Sequence, residues 1–208
     1  MSLERLNTWL LAATLGLGTA LAHAQATQAP DALIKAVSTD VLDAVRADKS
    51  IKQGDVQKVV ALVDAKILPS FDFERMTASA VGPRWNDATP AQKASLQAQF
   101  KILLVRTYSG ALAQVQDQTV ELKPMRGTPG DKEVVVKTEI RGRGDPVQLD
   151  YRLEQVGSGW KIYDVNVLGV WLVENYRNSF SQEIGANGID GLIGKLAERN
   201  AKAGSTPR

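Results

Sequence analysis

Cysteine is absent from the 208 residues, and histidine occurs once, at His23. These two shortages remove disulfides, thiolate nucleophiles, Cys/His metal sites and, His23 aside, imidazole bases. Aromatic residues make up only 6% of the chain, and the net charge is +2, with Lys and Arg scattered among acids. A nucleic-acid surface needs clustered basic residues, so that class is not supported. Long hydrophobic runs are lacking too. The longest runs from Trp9 to Ala22. It falls short of the roughly 20 residues that span a bilayer.

That run has another use. Arg5 precedes it, and Ala22-His23-Ala24 has the small-x-small form of a cleavage site, so residues 1–24 read as a secretory signal. Cleavage there takes the only histidine away. The expected address is the bacterial periplasm. Residues 25–30 read as a flexible leader, 31–200 as one domain and 201–208 as a disordered tail.

Helical periodicity starts at Asp31: Ile34, Val37, Val41 and Val45 share one face to about Lys49. A second helix opens at Gly54-Asp55, carries Val56, Val59, Val60, Val63 and Ile67, and stops at Pro69. Asp72 caps a third through Met76 and Ala80, which Gly82-Pro83 ends. Thr89-Pro90-Ala91-Gln92 spells a capping box with proline at the first helical position. The helix it opens is predicted to reach Gln116, with Leu96, Phe100, Leu103, Leu104, Tyr108, Ala111 and Val115 as its apolar stripe.

After that the period falls to two. Val120 and Leu122 alternate with polar neighbours; so do Val134, Val136 and Ile140, then Val147, Leu149, Tyr151 and Leu153, then a strand from Trp160 to Val167. Short Gly-bearing connections make these consecutive and antiparallel. Strict alternation in the last strand puts Tyr163, Val165 and Val167 on one face, Trp160 and Ile162 on the other. Gly169 is expected to end the sheet. Val173, Tyr176, Phe180 and Ile184 then form a helical stripe, followed by a final helix from Ile189 to Arg199. The fold class is α+β: a curved, mostly antiparallel four-stranded sheet wrapped by N- and C-terminal helices. Its large apolar residues fill a core or, as the resemblance given below implies, enclose an apolar cavity; periodicity does not separate the two.

Catalytic patterns fail on their context. Ser158-Gly159-Trp160-Lys161 matches Ser-x-x-Lys but lies in a hairpin rather than at a helix start. Gly142-Arg143-Gly144 lacks the third glycine and the helix of a dinucleotide loop. No catalytic, cofactor or metal residue is assigned. Two rivals remain in view. One is a small-molecule isomerase or hydratase in a cupped sheet, using Asp164 or Tyr151. The other is a chaperone-like interaction module with an exposed apolar groove.

Two blocks carry a resemblance. The first is Phe71-Asp72-Phe73-Glu74-Arg75-Met76-Thr77 with Ala80-Val81-Gly82 and Trp85, leading into Leu103-Leu104-Val105-Arg106-Thr107-Tyr108. The second is Gly159-Trp160-Lys161-Ile162-Tyr163-Asp164-Val165, then Gly169-Val170, Leu172-Val173-Glu174-Asn175-Tyr176-Arg177, Phe180 and Gly188-Ile189-Asp190-Gly191-Leu192-Ile193. In this order they resemble the MlaC, or toluene-tolerance, family of periplasmic phospholipid-binding proteins. The resemblance implies a soluble carrier, not an enzyme, that needs no metal or cofactor. It implies phospholipid as cargo, and an outer-membrane lipoprotein–porin complex and an inner-membrane MCE-domain ABC transporter as partners. The implied role is upkeep of outer-membrane lipid asymmetry. Trp171 departs from the family pattern where a small polar residue is common, and Leu168 where an acid is common.

A diacyl lipid has roughly 30 methylenes, each worth about 0.8 kcal/mol when kept from water. Exposing half of them costs on the order of 12 kcal/mol, so the carrier must bury the tails. The expected lining is Val134, Val136, Leu149, Tyr151, Val165 and Val167 of the sheet, facing Leu103, Tyr108, Trp171, Val173 and Tyr176. Tyrosines are expected at its rim, ring inside and hydroxyl at the wet edge. Arg141 and Arg143 read as a solvated hairpin tip, with contact to phosphate or a partner as the alternative.

Overall fold

A computed structural model describes residues 28–125 and 130–202; the expected signal (1–24), half of the expected leader (25–27), residues 126–129 and residues 203–208 lie outside the described residues. Helix α1 (Pro30–Ala47) starts one residue earlier than expected, because Pro30 itself occupies its first turn and is buried. A short α2 (Lys49–Lys52) follows, capped by the Asp48 side chain, and then α3 (Val56–Leu62), capped by Asp55. The expected second helix changes pitch instead of stopping at Pro69. It passes through a π-helical turn at Val63–Ile67 into a 3-10 turn at Leu68–Ser70, where Pro69 sits near the start and needs no N–H donor.

Helix α4 (Phe73–Val81) is capped by Asp72, whose carboxylate accepts the Arg75 N–H at 2.8 Å. That side-chain oxygen satisfies a donor the helix itself leaves unpaired. The capping box at Thr89 forms as the sequence predicts. The Gln92 N–H donates to Thr89 Oγ1 at 3.2 Å, and the Thr89 N–H to Gln92 Oε1 at 2.9 Å. Helix α5 (Pro90–Ala113) ends three residues before Gln116.

The sheet is an antiparallel meander, β1 (Thr119–Leu122), β2 (Glu133–Arg141), β3 (Val147–Val156), β4 (Gly159–Val167) and β5 (Val170–Trp171). It has five strands rather than four, and it is not closed. Gly169 does not end it. Leu168 and Gly169 form a two-residue turn, at φ 52° and φ 92°, that folds Val170 and Trp171 back on β4. Positive φ at both central residues is what a tight hairpin turn requires. Helix α6 (Leu172–Lys202) carries both predicted C-terminal helices, broken at Gly188 (φ 70°) and running past the predicted tail boundary.

Register decides which side chains share a face. Val136, Tyr151 and Val165 align across three strands, as do Thr138, Leu149 and Val167. A bulge between Arg152 and Leu153 leaves Tyr163 unmatched, so Leu153 pairs with Ile162. This corrects the alternation expected for the last strand. Ile162 joins Val165 and Val167 on the apolar face. Tyr163 turns to the polar face, where its hydroxyl meets Glu133 at 3.2 Å. Three apolar clusters result. One joins α4, α5 and α6 around Phe100; a second joins α1, α2, α3 and α5; the third sets Ile34 of α1 on Val136, Tyr151, Leu153 and Ile162.

Candidate functional site

The predicted lining divides between two of these clusters. Val134, Val136, Leu149 and Tyr151 pack in the sheet–α1 cluster. Leu103, Tyr108, Val167, Val173 and Tyr176 pack in the α4–α6 cluster. Val165 touches both, and so does Phe71, which the expected lining omits. The pair forms a seam along which the helical layer meets the sheet. Phe71 arrives there by bridging to Ile162, whose carbonyl accepts the Asp72 N–H at 2.8 Å.

Trp171 stands apart from the other predicted residues. It pairs with Asn166 on the polar face, and its ring lies 3.9 Å beneath the Arg152 guanidinium. That is cation–π range. Two tyrosines also differ from the rim expectation. Tyr151 is buried, its phenol pushed above the ordinary range by desolvation and held by the Ser38 and Thr138 hydroxyls. Tyr176 is buried edge-on against Phe100, with ring centroids 5.1 Å apart. Tyr108 is the half-buried one.

Asp164 is a structural acid by its contacts. One oxygen accepts the Val165 and Val173 N–H groups at 2.9 and 3.1 Å. The second of these caps the start of α6 from a neighbouring strand. The other oxygen accepts from Arg152 at 3.1 Å. Burial raises its pKa above the usual carboxylate value, against the pull of those donors. Arg152 also reaches Glu174 at 3.3 Å. Further along the polar face, Arg75 lies over the Tyr163 ring at 3.7 Å and pairs with Glu133 (2.7 Å) and Glu154.

An opening that the sequence does not disclose lies at the far end of the sheet–α1 cluster. It is a cleft of about 240 Å³ beside the β3–β4 hairpin. Leu33, Pro69, Val156 and Trp160 form its apolar walls, and Gln28, Ser70 and Lys161 its polar ones. Strict alternation places Trp160 on the face opposite Val165; the bulge moves it to the apolar side. Only knowledge of that bulge would have pointed here. Among the described residues no group of three or more His, Cys, Asp or Glu side chains is placed to hold a metal, and no helix is long and apolar enough to cross a membrane.

The profile of the MlaC protein family matches residues 35–198. The chain belongs to the MlaC family. Among curated relatives, it is 24% identical to the toluene tolerance protein ttg2D of Pseudomonas putida, over 88% of each chain. It is 21% identical to the intermembrane phospholipid transport system binding protein MlaC of Haemophilus influenzae, over 92% of this chain and 89% of that one. A solved structure, the phospholipid-binding protein from Ralstonia solanacearum in complex with a phospholipid, superposes with a TM-score of 0.81 at 45% identity. The match covers 84% of this chain and 98% of that one.

Proposed function

We propose that this protein is a phospholipid carrier of the bacterial envelope. The observation that carries the reading is the 45% identity, over 84% of the chain, to a protein solved with a phospholipid bound. The fold supplies the physical means. A continuous apolar layer runs from the sheet–α1 cluster through Phe71 and Val165 into the α4–α6 cluster. Burying tails there offsets the roughly 0.8 kcal/mol per methylene that water imposes.

The cleft measures about 240 Å³. Ordinary ligand pockets span roughly 300–1,000 Å³. Two acyl chains therefore do not fit in this cleft alone, and we place them along the seam at Phe71 and Val165, where the two clusters join. The expected lining residues then become tail contacts, Trp171 excepted.

The finer role we assign is that of a periplasmic shuttle between an outer-membrane lipoprotein–porin complex and an inner-membrane MCE-domain ABC transporter, which maintains lipid asymmetry. The signal-like residues 1–24 and the family membership support it. The reading is non-enzymatic. The carboxylate and phenol that an isomerase would use, Asp164 and Tyr151, are both engaged in structural hydrogen bonds.

Native mass spectrometry of protein purified from bacterial periplasm, with lipid analysis of the same sample, tests this. Phospholipid in near-integer stoichiometry is the expected result. Folded protein that carries no lipid and takes none from vesicles would end the carrier reading.

A further inference from the structure

We propose that Asn187-Gly188, at the break in α6, is a site of spontaneous covalent modification. The Gly188 backbone nitrogen attacks the Asn187 side-chain carbonyl carbon, expels ammonia and leaves a succinimide that water opens to aspartate or isoaspartate. The inference stands apart from the carrier reading, and its test needs no lipid.

The step balances without a cofactor. A bond forms between Gly188 N and Asn187 Cγ, the bond from Cγ to Nδ2 breaks, and the backbone proton departs with the ammonia. Water then cleaves one of the two C–N bonds of the imide. A carboxylate replaces an amide, with no oxidation or reduction.

Three observations select this asparagine. First, it is the only asparagine in the chain that glycine follows. Glycine has no Cβ to obstruct the approach of its own nitrogen. Second, a regular helix protects its asparagines by holding each backbone N–H on the carbonyl four residues earlier and each ψ near −42°. Gly188 breaks that regularity at φ 70° and ψ −176°. A Cβ built there would meet nothing within 4 Å, so the peptide at the break is uncrowded. Third, Asn187 is exposed, and its side chain lies along the chain beyond the break. A Cβ at Gly191 would stand 2.3 Å from Asn187 Cβ and 3.6 Å from Cγ, the carbon under attack.

The neighbours give the product a consequence. Asn187 Nδ2 donates to Glu183 Oε1 at 2.6 Å, and Lys195 Nζ donates to Glu183 Oε2 at 2.5 Å. Glu183 thus braces the two halves of α6 across the break. The Lys195 bond first, and the Asn187 amide second, hold its carboxyl below the usual range, so it is an anion at neutral pH. Aspartate at 187 removes that amide donor and sets a second carboxylate against the first, four residues away on one helix. Such like-charge pairs destabilise. Isoaspartate also lengthens the backbone by one methylene at the break.

Peptide mapping by mass spectrometry, with isoaspartyl methyltransferase labelling, tests this on folded protein held in mildly alkaline buffer (about pH 8.5). Asn187 should convert at least about tenfold faster than Asn175, Asn178 and Asn200 of the same helix, and more slowly at about pH 6.5. Asn187→Gln should abolish the labelled peptide. Asn187→Asp, made directly, should melt about 1–3 °C below the wild type. If Asn187 converts no faster than the other three, or converts only after the chain is unfolded in urea, the break does not expose it and the proposal is overturned. An Asn187→Asp transition that is unchanged would overturn the loosening assigned to the product.

Discussion

At the scale of single residues, burial separates the apolar side chains that hold the fold from those that, under the proposed function, border the lipid. Val136 is fully buried between strands, whereas Leu149, two register positions away on the same face, is half-buried. Leu149→Arg is therefore expected to leave the protein folded, with its far-UV spectrum and melting transition retained, because the long arginine stem can carry its charge to water. The variant should lose co-purifying phospholipid. If it fails to fold, Leu149 is core and the tail site lies nearer α5 and α6. On the polar face the balance is electrostatic. Glu133 is held below the usual carboxylate range, first by its hydrogen bond from Arg75 and further by the Tyr163 hydroxyl. A lowered acid adds stability above its unfolded value, near pH 4.5, and the addition is lost as pH falls through the depressed folded value. Glu133→Gln should thus be less stable than wild type at neutral pH, and the gap should close in acid. Denaturant titrations at pH 7 and pH 3.5 measure it; a gap that is unchanged at pH 3.5 contradicts the assignment.

At the scale of elements, the β4–β5 turn carries an avoidable strain. Leu168 sits at φ 52° with two-thirds of its surface exposed. It bears the cost of a left-handed backbone without packing to offset it. Asparagine tolerates that conformation and is favoured before glycine in such two-residue turns. Leu168→Asn is expected to stabilise the protein by about 0.5–1 kcal/mol, a rise of roughly 1–4 °C in melting temperature. A fall would mean that Leu168 packs against something in solution. The elements also show where sequence is legible. Side-chain caps at Asp72 and Thr89 depend on neighbours a few residues along the chain, and both form where the sequence puts them. Apolar alternation marks all four longer strands. It misses β5, which has two residues and exists only because the turn delivers it to β4. It also misses the bulge at Arg152–Leu153, because an unmatched residue is defined by its partner strand and not by its own neighbours. That one residue reassigns Ile162, Tyr163 and Trp160 between faces and hides the cleft.

At the scale of the whole molecule, the sheet is open, the chain has no cysteine to cross-link it, and two apolar clusters meet along a thin seam. No disulfide adds to the hydrogen bonds that join the helical layer to the sheet, Asp72 N–H to the Ile162 carbonyl and Val173 N–H to Asp164, so a bound lipid would add a further tie between them. Its tails would touch Val165 and Phe71 from both sides and add contacts that neither cluster makes alone. Binding to the folded state only stabilises it by mass action, about 2.7 kcal/mol when free ligand stands at about a hundred times its dissociation constant. Loaded protein should then melt roughly 5–10 °C above protein stripped with organic solvent and refolded. The protection should be greatest in hydrogen exchange at α1, β3 and β4, which flank the seam, and least in the C-terminal half of α6 beyond Gly188. Reloading from phospholipid vesicles should restore the higher transition. Equal melting of stripped and reloaded protein, with lipid uptake confirmed, would mean that the tails lie outside the seam and that the two layers are already fully joined without them.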